Sequence, residues 1–125
     1  MNKIAFKSNR DGNSDIYIIN EDGTDLFRLT YEDVIRGNHY FTPNGKSILY
    51  QSGEDIYSID VDGTNRINLT QNFPFSPHFI SLSPDGSQII CTVYVDDWHI
   101  FTIDMADGEY ENITENAKFQ FSPHI

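Results

Sequence analysis

Apolar residues along this chain gather in short β-rich runs instead of recurring at helical spacing. "KIAFKS" at 3–8, "SILYQS" at 47–52 and "QIICTVYV" at 88–95 are rich in β-branched and aromatic residues. "IYII" at 16–19 and "SILY" at 47–50 are apolar at successive positions. A strand with one wet face would alternate, so these runs predict sheets covered on both faces. Gly, Pro, Asn and Asp punctuate the chain about every eight to twelve residues, which leaves no room for a long amphipathic helix.

The runs repeat. "DIYIINEDGT" at 15–24 returns as "DIYSIDVDGT" at 55–64, and a looser third copy contains Ile100-Phe101. Ile16, Ile56 and Ile100 are each followed, fourteen residues later, by Thr30, Thr70 and Thr114. Between them stand Asp22-Gly23, Asp62-Gly63 and Asp107-Gly108, dipeptides that tolerate positive φ and favour a hairpin turn. "TPNG" at 42–45 and "SPDG" at 83–86 supply turn chemistry ahead of the second and third β-rich runs. Each copy thus predicts four short antiparallel strands at the spacing of a β-propeller blade. The blades are expected over about 3–30, 38–70 and 78–114 of one domain spanning 1–125.

"SPDGSQIICTVYVDDWHIFTIDMADG" and "IAFKSNRDGNSDIYIINEDGTDLFRLT" resemble the PD40, or TolB-like, WD40-type repeat over essentially the whole chain. Asn44 replaces Asp in the second copy, and Ala106 is inserted before the third Asp-Gly. The resemblance implies an all-β propeller and is not specific for function, because this repeat serves scaffolds, peptidase gating domains and metal-dependent lyases.

The first copy lacks its innermost strand, while "FSPHI" at 121–125 repeats "FSPHF" at 75–79, which leads into an inner strand. Residues 119–125 are therefore expected to act as a closing inner strand. Three blades are fewer than the usual four to eight. If each outer blade left roughly 500 Å² of apolar face wet, about 12 kcal/mol of burial would be forgone. That matches the whole stability of a typical domain. The expectation is a homodimer that completes a six-bladed ring, six being the count implied by the TolB-like resemblance, with a fragment of a longer propeller or half of a hetero-complex as the alternatives.

Composition narrows the partners. Eight Lys and Arg against nineteen Asp and Glu give a net charge of −11, and the basic residues are scattered singly, so no nucleic acid is expected. No apolar run approaches a membrane span and "MNKIAFKSNRDG" has no secretory core, which predicts a cytoplasmic protein that does not engage a membrane. The N-x-[ST] matches at Asn68 and Asn112 carry little weight without secretion. Cys91, the one cysteine, lies between Ile90 and Thr92 and is expected to be a buried thiol.

Candidate chemistry is sparse. Asp11, Asn13 and Asp15 alternate as calcium ligands do, but Ile16 and Asp22 stand where an EF-hand loop needs Gly and Glu, so a hairpin loop with Asx turns is expected instead. No G-x-S-x-G elbow is present, and Asp96-Asp97 and Glu54-Asp55 read as solvated hairpin tips. Trp98, beside Asp96 and Asp97 at the last blade's hairpin, is either blade packing or an anchor for a protein partner.

His39, His78 and His124 stand at or just before inner strands, and His78 and His124 share the motif S-P-H. "NHYFTPNG" is similar to the H-x-F-S-P-D-G stretch of oligogalacturonate lyases, which implies a divalent transition metal (Zn, Mn, Fe or Ni) held in the channel. Those lyases have seven blades and further ligands with no counterpart here. The expected function is a non-catalytic protein-binding or scaffold module without a cofactor. The alternative is a metal-binding channel with lyase-type activity on an acidic sugar.

Overall fold

The computed structural model describes residues 2–12, 14–32 and 35–114, with Arg36 described in its backbone alone. The described residues form eleven strands in three antiparallel sheets. The first sheet holds β1 (Lys3–Ser8), β2 (Asp15–Asn20) and β3 (Phe27–Arg28). The second holds β4 (Ile35–Phe41), β5 (Ser47–Ser52), β6 (Asp55–Asp60) and β7 (Ile67–Asn68). The third holds β8 (Ile80–Leu82), β9 (Gln88–Val95), β10 (Asp97–Asp104) and β11 (Tyr110–Asn112). Strand order within each sheet follows chain order, so every connection is a local hairpin. The expected closing strand at 119–125 lies outside the described residues.

The Ile-to-Thr spacing has a physical cause. The amides of Ile16, Ile56 and Ile100 donate to the hydroxyls of Thr30, Thr70 and Thr114 at 3.0, 3.1 and 3.0 Å. Each bond ties the end of the short outermost strand to the start of its longer neighbour. The same hydroxyls donate onward, Thr30 to Asp15 Oδ1 and Thr70 to Asp55 Oδ1, both at 2.8 Å. In the third sheet His99 stands at the place of Asp15 and Asp55, and Thr114 donates to Asn112 Oδ1 at 3.1 Å.

The Asp-Gly turns carry a second constraint. Asp22 and Asp62 accept from the amides of Thr24 and Thr64, and Gly23 and Gly63 donate to Asn20 and Asp60 three residues back. In the third copy Gly108 donates to Asp104, four residues back, so Ala106 widens that turn. The following residues compensate. Asp25 and Asn65, at φ 57° and 55°, each add a left-handed step before the outer strand, and the third copy reaches Tyr110 without one. One residue gained before the turn and one lost after it preserve the fourteen-residue interval.

Two apolar layers hold the sheets together. Ile16, Ile18 and Leu29 of the first sheet and its outer connection pack against Ile48, Tyr50 and Ile59 of the second. Leu49 and Ile56 of the second sheet pack against Ile89, Cys91, Val93, Phe101 and Ile103 of the third. Ile48 and Leu49 are adjacent and both fully buried, so the second sheet fills both layers with alternate residues. That accounts for the unbroken apolar runs. At the inner turns the blades approach closely: a Cβ on Gly86, at φ 75°, would lie 2.4 Å from Pro43 Cδ of the preceding turn. Asn44 takes the role of Asp85, accepting from the Lys46 amide at 2.9 Å as Asp85 accepts from Ser87 at 3.0 Å.

Thr30→Val keeps side-chain volume while orphaning the buried Ile16 amide and removing a donor from Asp15, which is 0 % exposed. It is expected to cost about 2 kcal/mol in urea unfolding. Gly86→Ala meets both a left-handed φ and Pro43, and is expected to cost about 3 kcal/mol. Gly45→Ala, at φ 72° with nothing near its Cβ, should cost about 1 kcal/mol by the same measurement.

Candidate docking site

The β9–β10 hairpin turns on one residue, Asp96, held at φ 64°. So tight a turn puts Tyr94 directly opposite Trp98 on the face of the third sheet that points away from the second. Their rings meet edge to face at 5.4 Å between centroids. His78 and Phe79, both from the segment leading into β8, approach the Trp98 ring at 5.4 and 6.3 Å between centroids. Tyr94 and Phe79 are 56 % and 59 % exposed. Asp96 and Asp97 are exposed beside them, and Asp97 Oδ1 accepts from the Trp98 amide at 2.8 Å. The result is an aromatic group on an open sheet face with two carboxylates at its edge.

Thr92 lies on the same face, alternating with Cys91 and Val93 that point to the core. It is 0 % exposed, and its hydroxyl is a buried side-chain atom without a hydrogen-bond partner among the described residues. Gln51 occupies the corresponding register position in the second sheet, and its Nε2 donates to the Pro77 carbonyl, across the boundary between blades, at 2.8 Å. Sequence reasoning singled out Trp98, Asp96 and Asp97 but missed Tyr94, Phe79 and Thr92. The signal was the single-residue hairpin, which sets the pairing.

The histidines occupy different environments. His39 lies on β4 and its Nε2 is 3.1 Å from the Ala5 carbonyl of the first sheet. Phe41 and Leu82 are register equivalents opposite Ile48 and Ile89, so His39 falls at the place of Ile80 and His78 two residues earlier. The His78 amide donates to the Thr92 carbonyl at 2.8 Å. His124 lies outside the described residues. Among the described residues no three His, Cys, Asp or Glu side chains gather closely enough to share a metal ion.

The acidic stretch at 11–22 makes the expected Asx turn at Asp22, whose Oδ1 accepts from the Thr24 amide at 3.0 Å, but places Asp15 differently. Asp15 is a fully buried strand residue, accepting from Thr30, the Glu32 amide at 2.7 Å and Arg28 at 2.8 Å. Asp11 Oδ2 accepts from the Tyr17 hydroxyl at 2.6 Å. A buried carboxylate that receives three donors serves as a strand clip. Asn13 lies outside the described residues. Cys91 is 0 % exposed, and burial pushes its thiol up to about 12.

Solved structures with the same chain path place the fold. An oligogalacturonate lyase from Vibrio parahaemolyticus matches with a TM-score of 0.79 at 13% identity, over 88% of this chain and 35% of that one. A TolB of Agrobacterium tumefaciens, described as putative, matches with a TM-score of 0.72 at 24% identity, over 88% and 44%. TolB from Acinetobacter baumannii matches with a TM-score of 0.70 at 22% identity, over 94% and 32%. The fold is that of a TolB-like β-propeller. This chain spans less than half the length of each of these structures. No family model matches the chain, and no curated protein matches it by sequence. No helix among the described residues is long and apolar enough to cross a membrane.

Burial makes a prediction about the thiol. At pH 8 a group titrating near 12 is about one part in ten thousand thiolate, so Cys91 should resist iodoacetamide in the folded protein and react fully in urea. Rapid alkylation without denaturant would contradict its placement.

Proposed function

We propose that this protein is a non-catalytic protein-binding module of the TolB-like propeller type, docking through the open face of its third sheet. The carrying observation is the group of Trp98, Tyr94, Phe79 and His78 on that face. Aromatic side chains bring large rigid areas to an interface at little entropic cost, and they are enriched where binding energy concentrates. A partly exposed tryptophan among half-exposed rings is therefore better suited to covering by another polypeptide than to solvent. Asp96 and Asp97 at the edge add charge selection, favouring a partner with cationic groups around an apolar centre. Trp98 acts as the anchor, Tyr94 and Phe79 widen its surface, and the two carboxylates orient the approach.

The test compares tagged wild-type protein with Tyr94→Glu and with Ile113→Glu, a substitution at a residue 55 % exposed beyond β11. Tyr94→Glu should lose the polypeptides that wild type retains, by at least about tenfold, while Ile113→Glu keeps them. Equal retention by Tyr94→Glu and wild type would remove the docking role from this face.

A further inference from the structure

We infer that the polypeptide covering this face is a second copy of the chain, whose first sheet packs on the third sheet of its partner, twice around a two-fold axis. The inference rests on the docking role proposed for the third sheet and names its occupant.

The repeat supplies the first argument. Ile4 and Ile19 are partners across β1 and β2, at the register positions of Ile48 with Ile59 and of Ile89 with Ile103. In the second and third sheets those residues face the preceding blade and are fully or nearly fully buried. In the first sheet Ile4 is 49 % exposed, with Phe6 stacked on Tyr17 beside it. At the other end, Ile90 and Ile100 stand at the positions where Leu49 and Ile56 fill the layer between second and third sheets. The two open faces are therefore the two halves of an interface that the chain already builds twice internally.

The buried polar groups supply the second. Gln51 spends its side-chain donor across the internal boundary, whereas Thr92, at the same position on the open face, has a buried hydroxyl without a partner among the described residues. An unmet buried hydroxyl is costly and uncommon in native structures. Its position is where the next blade arrives.

Charge chooses the occupant. Residues 71–114 contain seven Asp and Glu and no Lys or Arg, whereas residues 3–30 set Lys3, Lys7, Arg10 and Arg28 against five Asp and Glu and are close to neutral. The β1–β2 hairpin corresponds in register to the β9–β10 hairpin, so stacking a first sheet on a third brings Arg10, 53 % exposed and 3.9 Å from Asp11 of its own hairpin, toward Asp96 and Asp97. The opposite end of the same chain thus offers the acidic rim a far less acidic face, with Arg10 at its hairpin. Contact of the third sheet with the first is heterologous, and two copies close it only when the three blades subtend half a turn.

Light scattering on the full chain tests this. Wild type should show twice the chain mass of 14.4 kDa. Ile4→Glu and Tyr94→Glu, both at exposed positions, should each be monomeric, with association weakened at least about 100-fold and a wild-type circular-dichroism spectrum. Should Tyr94→Glu lose that spectrum, Phe79→Glu at 59 % exposure takes its place. An equimolar mixture of the first- and third-sheet variants should recover dimer, because such a pair retains one contact between two unaltered faces. A monomeric wild type, a trimer or an open-ended series, a variant that stays dimeric, or a mixture that stays monomeric would each overturn the inference. Wild type that is monomeric yet still retains another protein through Tyr94 would overturn the second copy and leave the docking role standing.

Discussion

A threonine hydroxyl placed fourteen residues after an isoleucine amide is the constraint on which each sheet depends. The outermost strands are two or three residues long, too short to hold by their ladder alone. The hydroxyl fixes the end of that strand on a buried amide, and the register of the pair follows. The surroundings of the clip vary while the clip does not. Asp15 with Arg28 in the first sheet is a buried ion pair, Asp55 with Asn68 in the second is half-buried and neutral on one side, and His99 with Asn112 serves the third. Three polar solutions around one bond show that geometry is retained where the identity of the neighbours is free.

Because the clips make every sheet alike, the sheets stack alike, and each presents apolar residues on both faces. A two-faced sheet is stable only between two neighbours. The second sheet has them, and in its strand β5 every residue from Ile48 to Ser52 is buried. The first and third sheets each have one. Their outward faces are wet at Ile4, Phe79 and Tyr94, while Thr92 and Tyr17 on those faces are already almost inaccessible to solvent. Such faces combine closed packing at the centre with exposed apolar edges, the anatomy of an interface more than of a solvated surface.

Much of this was legible in the residues. The Ile-to-Thr interval, the Asp-Gly turns and the unbroken apolar runs point to stacked four-stranded sheets before any coordinate is known, since each reflects a local rule. Asp15 was misread because composition places an Asp among Gly, Asn and Ser in a loop, whereas a donor set from Thr30, Glu32 and Arg28 draws it into the strand. Those donors are thirteen to seventeen residues away, beyond any local pattern. The compensation of Ala106 by a missing left-handed residue was likewise hidden, because insertion and loss fall on opposite sides of a turn. Trp98 was visible as a candidate, but its ring neighbours depend on pairing set by one residue, Asp96.

The position of the histidines shows why recurrence alone does not identify a site. His39 and His78 each precede a turn proline, yet the register sets them two residues apart along equivalent strands. His78 lies ahead of β8, where strand alternation no longer fixes the face, and His39 stands beside the register irregularity between Arg36 and Tyr40. His39 reaches the carbonyl of the neighbouring blade, while His78 reaches the outer aromatic group. Two copies of one residue type have been drawn into two kinds of work: one ties first sheet to second across the inner strand, and the other widens the open face of the third. The same displacement that separates the imidazoles adds a ring to the surface around Trp98, so the departure from strict repetition falls where the third blade has no following blade among the described residues.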